Sequence, residues 1–405
     1  MSINSEPYTV NTKHQTPNTK RQTGNRYNMK NILIISASAG AGHTMAAKAV
    51  EQALAGKNKG RPQFQATHID LLKFSTLLYK AVYHDLYLYM AQNQPLMWGY
   101  IFTTSDNLKR QNRPDFLLRL LDTLNTRKFT SFIREQEWDL IISTHFLASQ
   151  LVCDLKRKGK IEAPLLTVTT DYGLHSYWIL QDCEHYSVAD QGSRQHLMAS
   201  GIPQERIHVL GIPVNPEFYR KKPLASLKER LVLAPRLPAV LMLSGGFGVG
   251  PIEKMVASLA SVRSNFQLMV VAGRNRALLT RLRQMRDQLP FKMIPVGYTE
   301  QMDEYMRASD IVVSKPGGLT TAEAMAVGLP MLIVNPIPGQ EDMNSDMLLE
   351  HGAGIKAMHQ VDIPHRLDEV LSSPQKLALM RRNALALGKP RAAHDIAELV
   401  AEILS

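Results

Sequence analysis

Residues 314–344, SKPGGLTTAEAMAVGLPMLIVNPIPGQEDMN, constrain this chain more than any other stretch. Pro316, Gly317 and Gly318 cannot continue a regular element, and the glycines let the backbone approach a ligand closely. Thr320 or Thr321 is expected to cap the helix that follows, with Glu323 in its first turn. Gly328 stands where a helix ends, just before Pro330. The run MLIV then reads as a short buried parallel strand. A second Pro/Gly loop closes on Gln340, Glu341 and Asn344. A glycine loop before a helix start offers free N–H groups and the positive end of the helix dipole, which suits an anion. Glu323 suits hydroxyls such as those of a ribose, and Gln340, Glu341 and Asn344 offer donors and acceptors to a sugar. An ordinary helix whose glutamate complements the dipole has the same letters, so the stretch alone leaves both readings open.

The pattern of strand, small loop and helix recurs along the chain. Residues 31–35 (NILII) form a buried-strand run, 36–43 (SASAGAGH) a small-residue loop and 44–54 a helix. This is the opening of a doubly wound α/β domain, with ligands expected at the loop. Met45 stands where a dinucleotide fingerprint needs its third glycine, and no Gly-Lys-Ser/Thr follows, so NAD and ATP are disfavoured. Strands at 138–142 and 163–169 follow. The second runs into Thr170, Asp171 and Tyr172, with His175 and Trp178 on the loop behind. Residues 211–216 (GIPVNP) are extended and Pro-punctuated, as an interdomain linker would be. In the second half, strands at 239–243, 267–271, 292–296 and 310–313 lead into Ser244-Gly245-Gly246-Phe247-Gly248, Gly273-Arg274, Gly297-Tyr298 and the opening stretch. The predicted class is α/β: two doubly wound, Rossmann-like domains, 29–213 and 214–388, facing a cleft. A last amphipathic helix over 389–405 is expected to return towards the first domain.

Composition narrows the partners. The chain has 405 residues, 44% hydrophobic and 20% charged, which is a globular composition with ample core. Cys153 and Cys183 are the only cysteines, which argues against a disulfide framework or a cysteine zinc site and suits a reducing cytoplasm. No apolar run approaches bilayer-spanning length. Residues 1–28 are polar and rich in Asn, Thr and Gln and are expected to be disordered; either Met29 is the functional start or the leader is dispensable. The net charge is +11, and residues 107–134 carry seven cations, among them Arg113, Arg119 and Lys128, against two carboxylates. Nucleic acid, anionic lipid, a phosphorylated substrate or a merely solvated face would each account for this charge. Without a zinc-finger, RNP or KH signature, nucleic acid ranks last. Residues 74–102 hold eight of the aromatics, with Tyr79, Tyr83 and Tyr87 along one helix face and Trp98 beyond Pro95. They read either as a core stripe or as an amphipathic surface for an acceptor or a membrane.

Seven motifs in order carry a resemblance. Ser38-Ala-Gly40-Ala-Gly42-His43, Thr170-Asp171-Tyr-Gly-Leu-His175-Ser-Tyr-Trp178, Gly211-Ile-Pro-Val, Ser244-Gly245-Gly246-Phe-Gly248, Gly273-Arg274-Asn275, Pro316-Gly317-Gly318-Leu-Thr320-Thr321-Ala-Glu323 and Gln340-Glu341-Asp-Met-Asn344 resemble the processive diacylglycerol glycosyltransferases and monogalactosyldiacylglycerol synthases of glycosyltransferase family 28. The lipid II-forming GlcNAc transferase is a more distant relative. The resemblance implies a GT-B fold, a UDP-hexose donor on the second domain and a diacylglycerol-type acceptor on the first. It also implies inversion at the anomeric carbon and no obligatory metal or other cofactor; no Asp-x-Asp pair occurs in the chain. His43 is then the expected general base, with Asp171 orienting it or placing the acceptor. Ser244, Gly245, Gly246, Gly248, Arg274, Gly317, Gly318, Thr320 and Thr321 would bind the diphosphate, Tyr298 would flank the uracil, Glu323 would take the ribose, and Gln340, Glu341 and Asn344 the hexose. Gly40, Gly42, Tyr83, Tyr87, Trp98, His175 and Trp178 fall on the acceptor side. The expected location is the inner face of the cell membrane, on an anionic surface. The family's first loop is usually richer in glycine; here Ala39 and Ala41 intervene. An enzyme of the UDP-GlcNAc 2-epimerase type, a UDP-GlcNAc:lipid transferase and a non-catalytic sugar-nucleotide sensor are the alternatives, and the residues give no oligomeric state.

Overall fold

The computed structural model describes residues 29–38, 40–58, 63–74, 94–106, 126–244, 251–339 and 341–405. The first half runs β1 (Lys30–Ser36), α1 (Ala41–Lys57), β2 (Phe64–Asp70), α2 (Pro95–Ser105), α3 (Thr126–Arg134), β3 (Leu140–Ser143), α4 (Phe146–Arg157), β4 (Leu165–Val168), β5 (His185–Val188), α5 (Gln191–Ala199) and β6 (Ile207–Val209). All pairs are parallel, in the order β2-β1-β3-β4-β5-β6. The central strands are apolar on both faces because helices cover both; Ile32, Leu33, Ile34, Ile35 and Leu140, Ile141, Ile142 are fully buried.

The second half repeats this plan with α6 (Leu224–Arg230), β7 (Ala239–Leu243), α7 (Ile252–Ser258), β8 (Gln267–Val271), α8 (Arg276–Met285), β9 (Lys292–Val296), α9 (Met302–Arg307), β10 (Ile311–Ser314), α10 (Gly318–Ala326), β11 (Met331–Ile333), α11 (Asp342–Glu350), β12 (Gly354–Lys356), α12 (Ile363–Leu371) and α13 (Pro374–Leu387). Its parallel order is β12-β11-β10-β7-β8-β9. Both sheets therefore aim their strand ends, and the loops after them, at one seam. Tyr83, Tyr87, Gly245, Gly246, Gly248 and Gln340 lie outside the described residues, as does most of 107–134. Of Trp98 only the backbone, in α2, is described.

The chain crosses between the halves twice. It leaves through the extended segment at Gly211 and returns through α14 (Ala392–Ile403). Gly211 has φ +94°, and a side chain there would collide with Lys389. Ala393, Ile396, Ala397, Leu399 and Val400 of α14 share one core with Ile32 and Ile34 of β1 and Val50 and Leu54 of α1. The last helix of the chain thus completes the core of the first sheet. Ile396→Ala, at a fully buried site, is expected to lower the unfolding free energy by about 2–5 kcal/mol. Urea unfolding followed by circular dichroism checks this; a loss below ~0.5 kcal/mol would mean that α14 adds little to that core.

Candidate active site

Two open helix starts approach each other at the seam. α1 begins after Gly40 and α10 after Gly317, and neither N-cap residue supplies a side chain to the first-turn N–H groups. These positive ends are left free for an anion. Thr320 and Thr321 do not cap α10, because the helix has already started at Gly318, and for the same reason Glu323 lies in its second turn. His43 likewise sits in the first turn of α1 and not on a loop. A Cβ on Gly42 would stand 3.6 Å from Cβ of Leu319, so the two helix starts nearly touch. At Gly318 the approach is closer still. A Cβ there would collide with the carbonyl oxygen of Thr170 and lie 2.7 Å from Oδ1 of Asp171.

The segment after β4 is gripped from the second half. Asn344, fully buried, accepts from the Tyr172 N–H at 2.7 Å and donates to Oδ1 of Asp171 at 3.1 Å. Gly173, at φ +137°, leaves room for the Met343 side chain. Asn344 was expected to contact a hexose; its amide is instead spent on this bridge. Burial, together with the charge of Glu341, pushes the Asp171 carboxyl up to about 7 against the opposing hydrogen bond from Asn344.

His43 Nδ1 lies 2.9 Å from the Thr144 carbonyl and 2.8 Å from Oγ1 of Thr170. A carbonyl only accepts, so Nδ1 carries the proton and Nε2 presents its lone pair. Thr144 also anchors the helix start by donating from its hydroxyl to the His43 carbonyl at 2.9 Å. Burial pushes the His43 imidazole down to about 4, against the Thr144 bond, so the ring is neutral at physiological pH. Asp171 does not hydrogen-bond His43 in the structure, since its carboxylate turns to Asn344. Sequence reading missed three neighbours: Thr144, Thr170 and His145. The His145 ring meets His43 edge-on at 4.5 Å, while its Nδ1 caps α4 by accepting from Leu147 N–H at 3.1 Å. The only signal in the sequence was their place directly after apolar strands.

On the second half, Glu323 is half-buried without a hydrogen bond among the described residues. Burial, with the nearby charge of Asp303, pushes it up to about 8. Glu341 accepts from the Ile337 N–H at 2.7 Å and is raised by burial. The Arg274 guanidinium lies over the Tyr298 ring at 4.9 Å, and both are exposed. Thr321 is buried and its hydroxyl has no partner among the described residues, whereas Thr320 is half-buried. Ser244 is also buried, but its hydroxyl donates to the Val271 carbonyl at 2.9 Å and ties β7 to β8 instead of facing the cleft.

The acceptor-side expectations divide. Gly40 and Gly42 are at the seam. His175 is buried; its Nε2 donates to the Phe102 carbonyl at 3.1 Å and its Nδ1 accepts from Tyr177 N–H at 3.2 Å. Trp178 is 4% exposed within the first-half core and edge-on to Phe146. Both side chains are used in packing, because burying an aromatic ring on the sheet outweighs leaving it in a wet cleft.

Two doubly wound parallel sheets whose ligand loops meet at a shared seam make a GT-B fold. Residues 43–214 match the monogalactosyldiacylglycerol (MGDG) synthase family model, and residues 249–399 match the glycosyltransferase family 28 C-terminal domain. The chain belongs to the glycosyltransferases that join these two domains. It is 28% identical over 374 residues to the processive diacylglycerol beta-glucosyltransferase of Bacillus pumilus, covering 92% of this chain and 95% of that protein. To the Bacillus subtilis enzyme of the same name it is 26% identical over 356 residues, covering 87% of this chain and 90% of that one. In fold it is similar to Acinetobacter baumannii MurG, with TM-score 0.61, 14% identity and coverage of 92% of this chain and 99% of that one. It is also similar to Anabaena Alr3699/HepE in complex with UDP, with TM-score 0.53, 16% identity and coverage of 92% and 100%.

Gly318→Ala is expected to hold the halves apart. Overpacking of about 1–3 kcal/mol at this contact corresponds to a loss of roughly five- to 150-fold in kcat/KM, with the unfolding midpoint little changed. Wild-type kinetics in this variant would mean that the contact is absent during turnover.

Proposed function

We propose that the protein transfers a hexose from a UDP-sugar to the hydroxyl of a diacylglycerol-type lipid, with inversion, from the surface of a membrane. One observation carries the reading: a neutral histidine whose Nε2 meets no partner among the described residues stands across a glycine-lined seam from the uncapped start of α10. The acceptor hydroxyl gives its proton to Nε2 as its oxygen bonds to the anomeric carbon. The bond from that carbon to the diphosphate breaks with its electron pair, and charge grows on the leaving UDP. The open N–H groups at Gly318 and beyond are placed to meet that charge, worth most where water is excluded. Arg274 and Tyr298 form a flat cationic edge suited to the nucleotide, and Glu323, with no hydrogen bond among the described residues, suits the ribose hydroxyls. The names of the Bacillus relatives support the diacylglycerol acceptor.

Radiolabelled UDP-sugars offered with diacylglycerol vesicles test this reading. Label in the organic phase supports transfer; an altered UDP-sugar with no lipid label would mean an epimerase, and UDP binding without turnover a sensor. Glu323→Ala is expected to raise the UDP-sugar KM more than it lowers kcat, by about 1–3 kcal/mol of lost binding, while His43→Ala removes about 10²–10⁴-fold of turnover and leaves UDP affinity near wild type. An unchanged KM in the first, or a tenfold or smaller loss in the second, would remove that residue from its role.

The membrane surface is supported by α2. Met97, Tyr100 and Ile101 stand at helical spacing with exposures of 48%, 72% and 45%, and the adjoining 107–134 stretch is basic. Among the described residues no helix is long and apolar enough to cross a membrane. Apolar side chains entering the headgroup region add salt-insensitive burial, and each nearby Lys or Arg adds about 1 kcal/mol that salt screens. Vesicle binding is therefore expected to rise with anionic lipid and fall with ionic strength. Reversing charge at Arg113, Arg119 and Lys128 together should lower binding and activity on vesicles but spare activity on a short-chain acceptor in detergent. Equal binding to neutral and anionic vesicles would reduce the basic stretch to a solvated face.

A further inference from the structure

We propose that Thr170 is a positioning residue that ties the setting of His43 to the closed arrangement of the two halves. The inference rests on His43 being the base. Two acceptors share the Nδ1 proton of His43, and they differ in what holds them. Thr144 belongs wholly to the first half: it follows β3, is fully buried, and hydrogen-bonds the α1 backbone through its own hydroxyl. Thr170 is 3% exposed and lies 2.8 Å from Nδ1, but its carbonyl occupies the space that a side chain at Gly318 would need. Its next neighbours, Asp171 and Tyr172, are held by Asn344 of α11, and Gly173 lies against Met343. One end of this short segment therefore touches the base, while the rest is gripped by the starts of α10 and α11, which carry the donor side.

The chemistry gives the contact its consequence. When Nε2 takes the acceptor proton the ring becomes a cation, and its Nδ1–H becomes a stronger donor. Thr144 and Thr170 then hold the imidazolium with two uncharged acceptors, and among the described residues no carboxylate hydrogen-bonds it. With the halves apart, Thr144 alone would remain, and the ring would keep its tautomer but lose one restraint on its orientation. A base misplaced by about 1 Å costs up to ~100-fold, so the closed arrangement assembles the base as well as excluding water. The titratable groups around His43 are His145, edge-on from the start of α4, Asp171 in the same segment, and Glu341 behind Asp171 across the seam.

The test uses the full-length protein with UDP-sugar and diacylglycerol vesicles. Thr170→Val is expected to lower kcat by about tenfold to a hundredfold with UDP affinity and UDP-sugar KM within about twofold. The acid limb of kcat should move to lower pH, because the imidazolium has lost an acceptor. Thr170→Ser, which restores the oxygen, should return kcat to within about threefold and the limb to its place. Asn344→Ala, which loosens the segment without touching His43, should show the same fall and the same limb shift, and combining it with Thr170→Val should add little. An unchanged kcat and limb in Thr170→Val, an equal loss in Thr170→Ser, or fully multiplying losses in the double variant would each overturn the proposal. Should Thr170→Val not fold, as loss of UDP binding would reveal, the Asn344→Ala profile and the serine variant decide. His43→Ala separates the two levels: full activity there removes the base itself, whereas an inactive His43→Ala beside an unaffected Thr170→Val removes only the coupling.

Discussion

The carbonyl oxygen of Thr170 occupies the space where any side chain at position 318 would place its first carbon. The rest of the seam follows from this contact. It brings the open starts of α1 and α10 together, and with them two positive helix ends that their N-cap residues do not cap. Like ends repel, so a closed cleft of this kind is most stable with an anion between them. Carboxylates at the same seam do not serve that purpose. Burial disfavours the charged forms of Asp171, Glu323 and Glu341, so their charge is suppressed where a counter-ion would be useful. A diphosphate, which no protein group has to be desolvated to provide, fits the remaining need.

The sequence disclosed the buried centre of each sheet and, of the margins, the edge strand β9. β1, β3, β7, β8 and β10 are continuous apolar runs because helices cover both faces. β2 (FQATHID), β5 (HYSV), β6 (IHV) and β12 (GIK) are shorter or carry polar residues, and the apolar run that marks a buried strand is missing from them. A strand at or near a sheet edge can afford such residues, since one side meets solvent or a loop. Helix starts were read a few residues late for α1 and α10, because the glycines taken as loop are the cap and first turn.

The site shows a similar division. The residue types at the seam were legible, whereas the partner each would choose was not. Asn344, Ser244, His175 and Trp178 have chemistry suited to a substrate, yet each meets a closer need inside the protein: a bridge to Asp171, a tie between strands, or a place in the core. Thr170 was named in its motif but given no role, because nothing local marks its hydroxyl until it is found 2.8 Å from a histidine 127 residues away. Pairings at that separation depend on the order of strands within a sheet, here β1-β3-β4, and no local pattern encodes them.

Behind Glu323 lies a further layer of charge around Asp303, which adds to burial in raising it. Lys222, just past the linker, reaches Asp303 at 2.6 Å, Glu304 at 3.1 Å and Glu217 at 3.5 Å, and Arg230 reaches Glu304 at 2.8 Å. Asp303 and Glu304 are nearly buried, so these pairs serve geometry more than stability: desolvation offsets much of their attraction. They fix α9 against the segment that leaves the linker. The cations are occupied on that side, so the charge of Asp303 still reaches Glu323 and helps to raise it. A carboxylate in this position gains most from neutral donors, since hydroxyls stabilise its charged form without bringing a cation that the buried acids would compete for. The same electrostatics that raises Glu323 therefore gives it most to gain from neutral hydroxyl donors.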